Sequence, residues 1–346
     1  MENERKISFN LENLAAENNC NMQEIVEILE QAIIAGWESM YGEGYNLGIE
    51  YRGGQIRLFR YLEVVEKVEN PRLQIASSEI NKSQTIDMND KTYIQENLLF
   101  NLSRSAIKVV QEELDDRLKT LKRKKIYTFF SGRIGELFTC TIKKICGNVI
   151  ILMIGEYEGI MDPTMYVQER FQHGQKIPCR LNRVEMNLDY QLYFERKSNA
   201  FIHLLLASIV PEISLGAVEV KDIARSNAGC KIAVKSDGSI NPISACIGLR
   251  QERRNQISKA LNAERIEFVL WKDTILQCVY SYFHNIKIER VEIGEEVINI
   301  WIPEIDLSKA IGRGGQNAYL TSKLIGKKIM INKFEELKDE DDSLQK

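Results

Sequence analysis

Two stretches of the chain lie over one another at an offset of 64 residues: Ser244-Ala245-Cys246-Ile247-Gly248-Leu249-Arg250-Gln251 and Ser308-Lys309-Ala310-Ile311-Gly312-Arg313-Gly314-Gly315. An internal repeat constrains a fold more than any single motif, because each copy must be a supersecondary unit in its own right. Both copies follow two strand-like runs, 218–224 with 231–234 and 286–293 with 297–303, and both precede a helical stretch and a third strand. The spacing to that third strand is preserved, with Ile266 lying 18 residues after Gly248 and Ile329 lying 17 after Gly312.

Strand, strand, helix, glycine turn, helix, strand is the KH arrangement, in which a GXXG loop clamps the backbone of four nucleotides. Glycines let phosphates approach the backbone N–H groups and the positive end of the following helix, and Arg313 adds a cation inside the turn. Candidate RNA-binding residues are therefore Ile311, Gly312, Arg313, Gly314, Gly315, Gln316, Asn317 and Lys323 in the second copy. The first copy offers Gly248, Arg250, Arg253 and Arg254. A dinucleotide fingerprint would require glycine at the sixth position and a preceding strand; Asn317 stands there, and the expected preceding element is a short helix, 307–311. Gly326-Lys327 lacks the earlier glycine and the following Ser or Thr of a P-loop and reads as a helix end. A plain loop or helix cap would tolerate the glycines but would not explain the repeat.

Upstream, the pattern changes twice. Ile25, Ile28, Leu29, Ala32 and Ile33 recur at helical spacing within 11–40. The runs 45–51 and 55–65, joined by Arg52-Gly53-Gly54, read as a hairpin, followed by a strand-like 73–76. From Tyr93 to Tyr127 there is neither Pro nor Gly, and Leu98, Leu102, Ile107, Val110, Leu114, Leu118 and Leu121 form one stripe, which predicts a long helix. Its basic end, Lys122 to Lys125, suits either a helix C-terminus or an RNA contact. Between 132 and 195 five short strands (137–145, 149–154, 159–161, 177–184, 190–194) predict an OB-type barrel. Phe138, Tyr157, Tyr190, Tyr193 and Phe194 with Lys143, Lys144, Arg180 and Arg183 could stack and attract bases; the same aromatics could equally be core, since period-2 patterns do not say which face is wet.

Bulk properties narrow the functional class. Net charge is −3, yet 1–125 holds 17 basic and 21 acidic residues whereas 240–334 holds 14 basic and 10 acidic, so the repeat region can attract a polyanion locally. Seven cysteines make no CxxC pair and three histidines stand apart, which argues for reduced thiols, no metal and no cofactor. No Ser/His/Asp, Cys/His or paired-carboxylate constellation stands out, so the expectation is a protein that is not an enzyme. The first ten residues are charged and no apolar run approaches a membrane span, so a cytoplasmic location with no membrane partner is expected. The sequence carries no oligomer signal, and a monomer is the default.

Several segments then resemble one family in order along residues 10–333. Ser308 to Asn317 with 323–329 resembles the second KH unit of the NusA family of bacterial transcription factors; Val210 to Ile213 with 216–225 resembles the start of its first KH unit; 132–142 and 157–160 resemble its OB domain; 56–60 and 63–71 resemble its polymerase-binding domain. The resemblance implies a multidomain α+β chain. Its parts would be an N-terminal RNA polymerase-binding domain with helices and a hairpin (1–127), an OB-fold barrel (128–200), two tandem type II KH domains (201–275 and 276–335) and an acidic tail (336–346), without the additional C-terminal repeats of some members. It implies partners too: RNA polymerase, nascent single-stranded RNA and other termination or antitermination factors, with an effect on pausing, termination and antitermination. The alternatives are a stand-alone OB/KH protein of RNA turnover or ribosome assembly, and an RNA-processing phosphorylase, for which the first 130 residues are short and poor in positioned acids. Two departures from the family pattern are plain. Gln251 stands where the first loop wants its second glycine, so either Arg250, Arg253 and Arg254 compensate or that unit is mainly structural; and Gly147-Asn148-Val149 replaces the usual barrel aromatic.

Overall fold

In the N-terminal part, the helix that the apolar stripe predicts begins at a capping box: the Asn21 side chain accepts from Glu24 N at 2.8 Å while the Glu24 carboxylate accepts from Asn21 N at 2.9 Å. The computed structural model describes residues 11–334 except 19, 53–54, 80–84, 89–90, 99–101, 168, 187–190 and 228; the charged first ten residues, Tyr190 and the acidic 336–346 lie outside the described residues. The chain divides into two compact units at Ile126/Tyr127.

In the first unit, α1 (Leu11–Asn18) and α2 (Met22–Tyr41) bury Leu11, Ile25, Leu29, Ala32, Ile33 and Trp37 against Val110, Leu114 and Leu118 of α3 (Arg104–Ser131). The strands β1 (Leu47–Arg52), β2 (Gln55–Val65), β3 (Gln74–Ala76), β4 (Thr85–Met88) and β5 (Lys91–Leu98) form a sheet of order β1-β2-β5-β4, with β3 parallel to β2. The predicted helix from Tyr93 is thus corrected: 91–98 is a strand, with Ile94 opposite Leu62 and Leu98 opposite Leu58. Apolar spacing alone did not separate the two, and an available β2 edge decided it. The helix starts after Ser103, whose hydroxyl accepts from Ala106 N at 3.1 Å. In its basic run, Lys125 pairs with Glu24 at 2.7 Å and ties α3 to the start of α2.

The second unit opens with a closed barrel of β6 (Leu137–Cys146), β7 (Val149–Ile154), β8 (Tyr157–Met161), β9 (Lys176–Val184) and β10 (Leu192–Glu195), ordered β10-β8-β7-β6-β9 as in an OB fold. Closure needs Gly159: a Cβ there would lie 2.8 Å from Leu192 O and 2.6 Å from the Phe194 ring. Two of the proposed stacking aromatics, Phe194 and Tyr193, are buried, and Arg183 covers the Tyr193 ring at 4.0 Å. Arg180 is committed to the buried Glu195 at 3.2 Å and Lys143 to Glu158. Phe138 is half-buried under the Arg133 guanidinium, while Phe129, from the end of α3, is exposed and stacks on Tyr157.

Two βαα-type units follow. The first contains α4 (Asn199–Ile209), α5 (Pro211–Ser214), β11 (Val218–Ser226), β12 (Gly229–Ser236), α6 (Pro242–Ile247), α7 (Glu252–Ala260) and β13 (Ile266–Leu270). The second contains α8 (Ile275–Tyr282), β14 (Arg290–Ile293), β15 (Val297–Ile302), α9 (Glu304–Ile311), α10 (Gln316–Ile325) and β16 (Lys328–Lys333). Each sheet pairs its first two strands antiparallel and its last two parallel. Alternation along β12 sends Cys230, Ile232 and Val234 into the first unit's core with Phe201, Leu205 and Ile257. The other face, with Ala233, meets Cys278, Tyr282, Leu320 and Leu324 of the second unit. Both faces are dry, so β12 reads as a nearly continuous apolar run.

The joint between barrel and first KH unit is ionic. Arg196 is fully buried; it donates to Glu169 at 2.6 Å, to Ala260 O at 2.9 Å and to Pro178 O. Arg225 pairs with Glu264 at 2.7 Å and reaches the same Glu169 at 3.4 Å. Two arginines thus share one carboxylate across the joint, with planar guanidinium groups satisfying several acceptors each.

Candidate nucleic-acid interface

Each glycine loop is made by a short helix that stops abruptly. Asn241 caps α6, accepting from Ser244 N at 3.0 Å, with Pro242 at its first position; α6 ends when Gly248 N donates to Ser244 O at 2.9 Å. In the second unit Gly312 N donates to Ser308 O at 3.0 Å. From there the two backbones match at three of the four loop positions. Gly248 (φ 74°, ψ 173°) matches Gly312 (73°, 171°), Arg250 (50°, 29°) matches Gly314 (61°, 27°), and Gln251 (63°, 22°) matches Gly315 (76°, 8°).

The first loop therefore holds two non-glycine residues in the left-handed region, where an L side chain costs roughly 1–2 kcal/mol each. Such strain persists only where the surroundings impose it. Here both loop ends are fixed by the flanking helices. Neither Gln251 nor Gly315, each at the N-cap position, puts a side-chain acceptor on the N–H groups of α7 or α10; the first of these, Glu252 N and Gln316 N, donate to Leu249 O and Arg313 O inside the loops, and a helix start without a side-chain cap favours a nearby anion.

Around the loops the cations differ in position. In the second, Arg313 is exposed at the first variable place, and Lys323, exposed one face further along α10, lies 4.9 Å above the Tyr319 ring. In the first, Leu249 occupies the place of Arg313 and is 87% exposed, while Arg250 follows it; the charge is displaced by one residue. Arg254 donates to Gln251 Oε1 at 3.3 Å, which keeps its cation beside the turn. Ile311, just before the second loop, presents a partly exposed apolar surface. A shallow groove lined by Leu249, Arg250, Glu252, Asn255, Gln256 and Lys259 runs along α7 from the first loop.

Three of the candidate residues are occupied inside the protein. Arg253 donates to Ala245 O at 2.6 Å and to Glu212 at 2.7 Å, and this bond to Arg253 holds the Glu212 carboxyl below the usual glutamate range. Asn317 donates from Nδ2 to Lys309 O at 3.2 Å and accepts from Lys231 at 2.5 Å, and Gln316 accepts from the Ser226 hydroxyl at 2.7 Å. The structure thus gathers Gly248, Arg250 and Arg254 around one loop, and Ile311 to Gly315 around the other, while Arg253, Gln316 and Asn317 brace the loops from behind. Lys231 and Ser226 carry no motif; a lysine flanked by Cys230 and Ile232 in the apolar stretch of β12 was the available signal.

Three family models match the chain: the NusA N-terminal domain over residues 7–124, the NusA-like first KH domain over 196–271 and the NusA-like second KH domain over 275–339. The chain is similar to the transcription termination/antitermination protein NusA of Halalkalibacterium halodurans, with 28% identity over 95% of this chain and 88% of that protein. It is similar to the protein of the same name from Thermus thermophilus, with 28% identity over 97% and 92%, and from Bacillus subtilis, with 27% identity over 92% and 88%.

Proposed function

Since this chain belongs to the NusA family, we propose that it acts as a transcription factor that rides on RNA polymerase through residues 7–124 and holds emerging single-stranded RNA with its two KH loops, modulating pausing, termination and antitermination. The observation that carries the RNA half is the match of the two loops at three of their four positions, each leading into a helix whose start has no side-chain cap, a setting that favours an anion. A loop that spends strain to keep this shape at Arg250 and Gln251 supports phosphate contact at the first unit as well as the second. RNA backbone would be gripped by the loops and by Arg250, Arg254, Arg313 and Lys323. Base recognition would fall to neighbouring apolar surface such as Ile311.

The role is proposed as binding without chemistry. Burial pushes the Cys246 thiol up to about 12 and Cys230 higher still, so these thiols are packing groups rather than nucleophiles. Among the described residues no helix is long and apolar enough to cross a membrane, and action in the cytoplasm, beside the polymerase, is part of the proposal. The stand-alone RNA-binding reading gives residues 7–124 no task.

Single-round transcription by the cognate RNA polymerase across a hairpin pause, with and without the protein, tests this function. A changed pause lifetime that requires residues 1–125 is expected. RNA binding with no effect on the polymerase would overturn it.

A further inference from the structure

The two loops are braced by equivalent residues that are anchored differently. The fifth residue after the first glycine, Arg253 or Asn317, donates to the carbonyl three residues before that glycine, Ala245 or Lys309. It thus spans the loop from the rear and ties the helix before it to the helix after it. Contact is close: a Cβ on Gly248 would lie 2.8 Å from Arg253 Cγ, and one on Gly312 would lie 2.8 Å from Asn317 Cβ and 2.9 Å from Asn317 N. In the first unit the brace is oriented by Glu212, from the same unit. In the second it is oriented by Lys231, from β12 of the first unit.

Lys231 is fully buried. Burial pushes its pKa down, against the pull of Glu267 at 3.5 Å, and a buried ammonium needs its donors satisfied. They go to Asn317 Oδ1 at 2.5 Å, Thr321 Oγ1 at 3.0 Å and Tyr282 O at 3.3 Å, all in the second unit. An ammonium has no acceptor, so it admits only the oxygen of the Asn317 amide. The nitrogen is thereby turned toward Lys309 O, the one orientation that closes the loop. An amide without this partner would lose that bias.

We propose that Lys231 of the first KH unit is a positioning residue for the phosphate clamp of the second, acting through the orientation of Asn317. The proposal rests on the reading of Gly312–Gly315 as an RNA clamp. It makes the second loop's grip a property of both units, whereas the first loop is self-sufficient.

The test uses the full chain and two readouts. Amide hydrogen exchange without RNA is measured for both loops, and affinity for an unstructured single-stranded RNA of mixed sequence is measured over a salt series. Lys231→Met, which keeps the stem and removes the ammonium, should speed exchange at 312–317 and leave 248–253 unchanged. It should also weaken RNA binding by about tenfold and lower the salt slope by about one, as for a lost phosphate contact. In a Gly315→Asp background the same change should alter affinity by less than about twofold, because effects passing through one loop do not add. Asn317→Asp is the second variant should Lys231→Met fail to fold: it retains the acceptor for Lys231 but loses the donor to Lys309 O, and it should speed exchange in the second loop alone. Unchanged exchange at 312–317, or equal loosening of both loops, would overturn the proposal. If the second loop loosens while affinity holds, or if Gly315→Asp itself leaves affinity intact, the clamp reading falls and takes the proposal with it.

Discussion

Gln251 and Gly315 occupy the same place in their loops and share a left-handed backbone, φ 63° against 76° and ψ 22° against 8°. Only one of them is suited to it. Replacing Gln251 with glycine removes strain of about 1–2 kcal/mol and returns some of that gain as extra freedom of the unfolded chain, about 0.4–1 kcal/mol. Gln251→Gly should therefore stabilise the protein by roughly 0.5–1 kcal/mol, the difference between those two effects, with RNA affinity held or improved. Denaturant titration alongside RNA binding checks both.

Within the second loop the glycines are unequal. Gly314 has a φ of 61° and open space where a Cβ would stand, so Gly314→Ala should cost roughly 1–2 kcal/mol of backbone strain. At Gly312 the added carbon also meets the backbone nitrogen of Asn317 at 2.9 Å. Gly312→Ala should cost at least about 1 kcal/mol more, the order of an overpacked contact. Thermal or chemical unfolding of the two variants ranks them, and equal losses would mean that the brace yields easily.

The buried joint at Glu169 predicts a large asymmetric effect. Glu169→Gln leaves Arg196, fully buried, without its carboxylate, and such a loss typically costs about 3–5 kcal/mol. Lys143, paired with Glu158 on the barrel surface, should be nearly silent when changed to Met, within about 1 kcal/mol. Stability of both variants is the measurement.

Acid should release the first loop's brace. Glu212 has its pKa lowered by the hydrogen bond from Arg253, so the unfolded chain binds more protons than the folded one across the interval between the two values. Its contribution is full above the unfolded glutamate range and is lost as pH falls through the folded value. The stability difference between wild type and Glu212→Gln should shrink over that window and vanish below it. A difference independent of pH would assign the effect to packing alone.

The features legible in the sequence are those that local chemistry dictates. Gly248 and Gly312 marked the helix stops, and the repeat around them gave the order of strands and helices in both KH units. The run 177–184 read as a barrel strand, and the structure has it at Lys176–Val184. What stayed hidden depends on neighbours remote in sequence. Tyr93 to Leu98 fit a helical stripe as well as a strand until β2 lay beside them. Phe194 and Phe129 are both aromatic, yet one fills the barrel and the other stands in solvent. Lys231 falls on the opposite face of β12 from Cys230 and Ile232, which alternation reveals; that a second unit covers that face is not a local property. Gln251 read as a departure from a motif, whereas its backbone keeps the motif's shape.

The chain reads as a string of modules, but the boundary after Glu195 is no hinge of small or flexible residues. Arg196 and Arg225 draw on Glu169 from the far side of that boundary. A barrel transplanted from another protein would have to bring a carboxylate to the same spot, or strand a cation where water cannot reach it. Grafting, shuffling or swapping at this junction is thus restricted to donors that already carry the matching acid, and the barrel and the first KH unit should be inherited as a single piece.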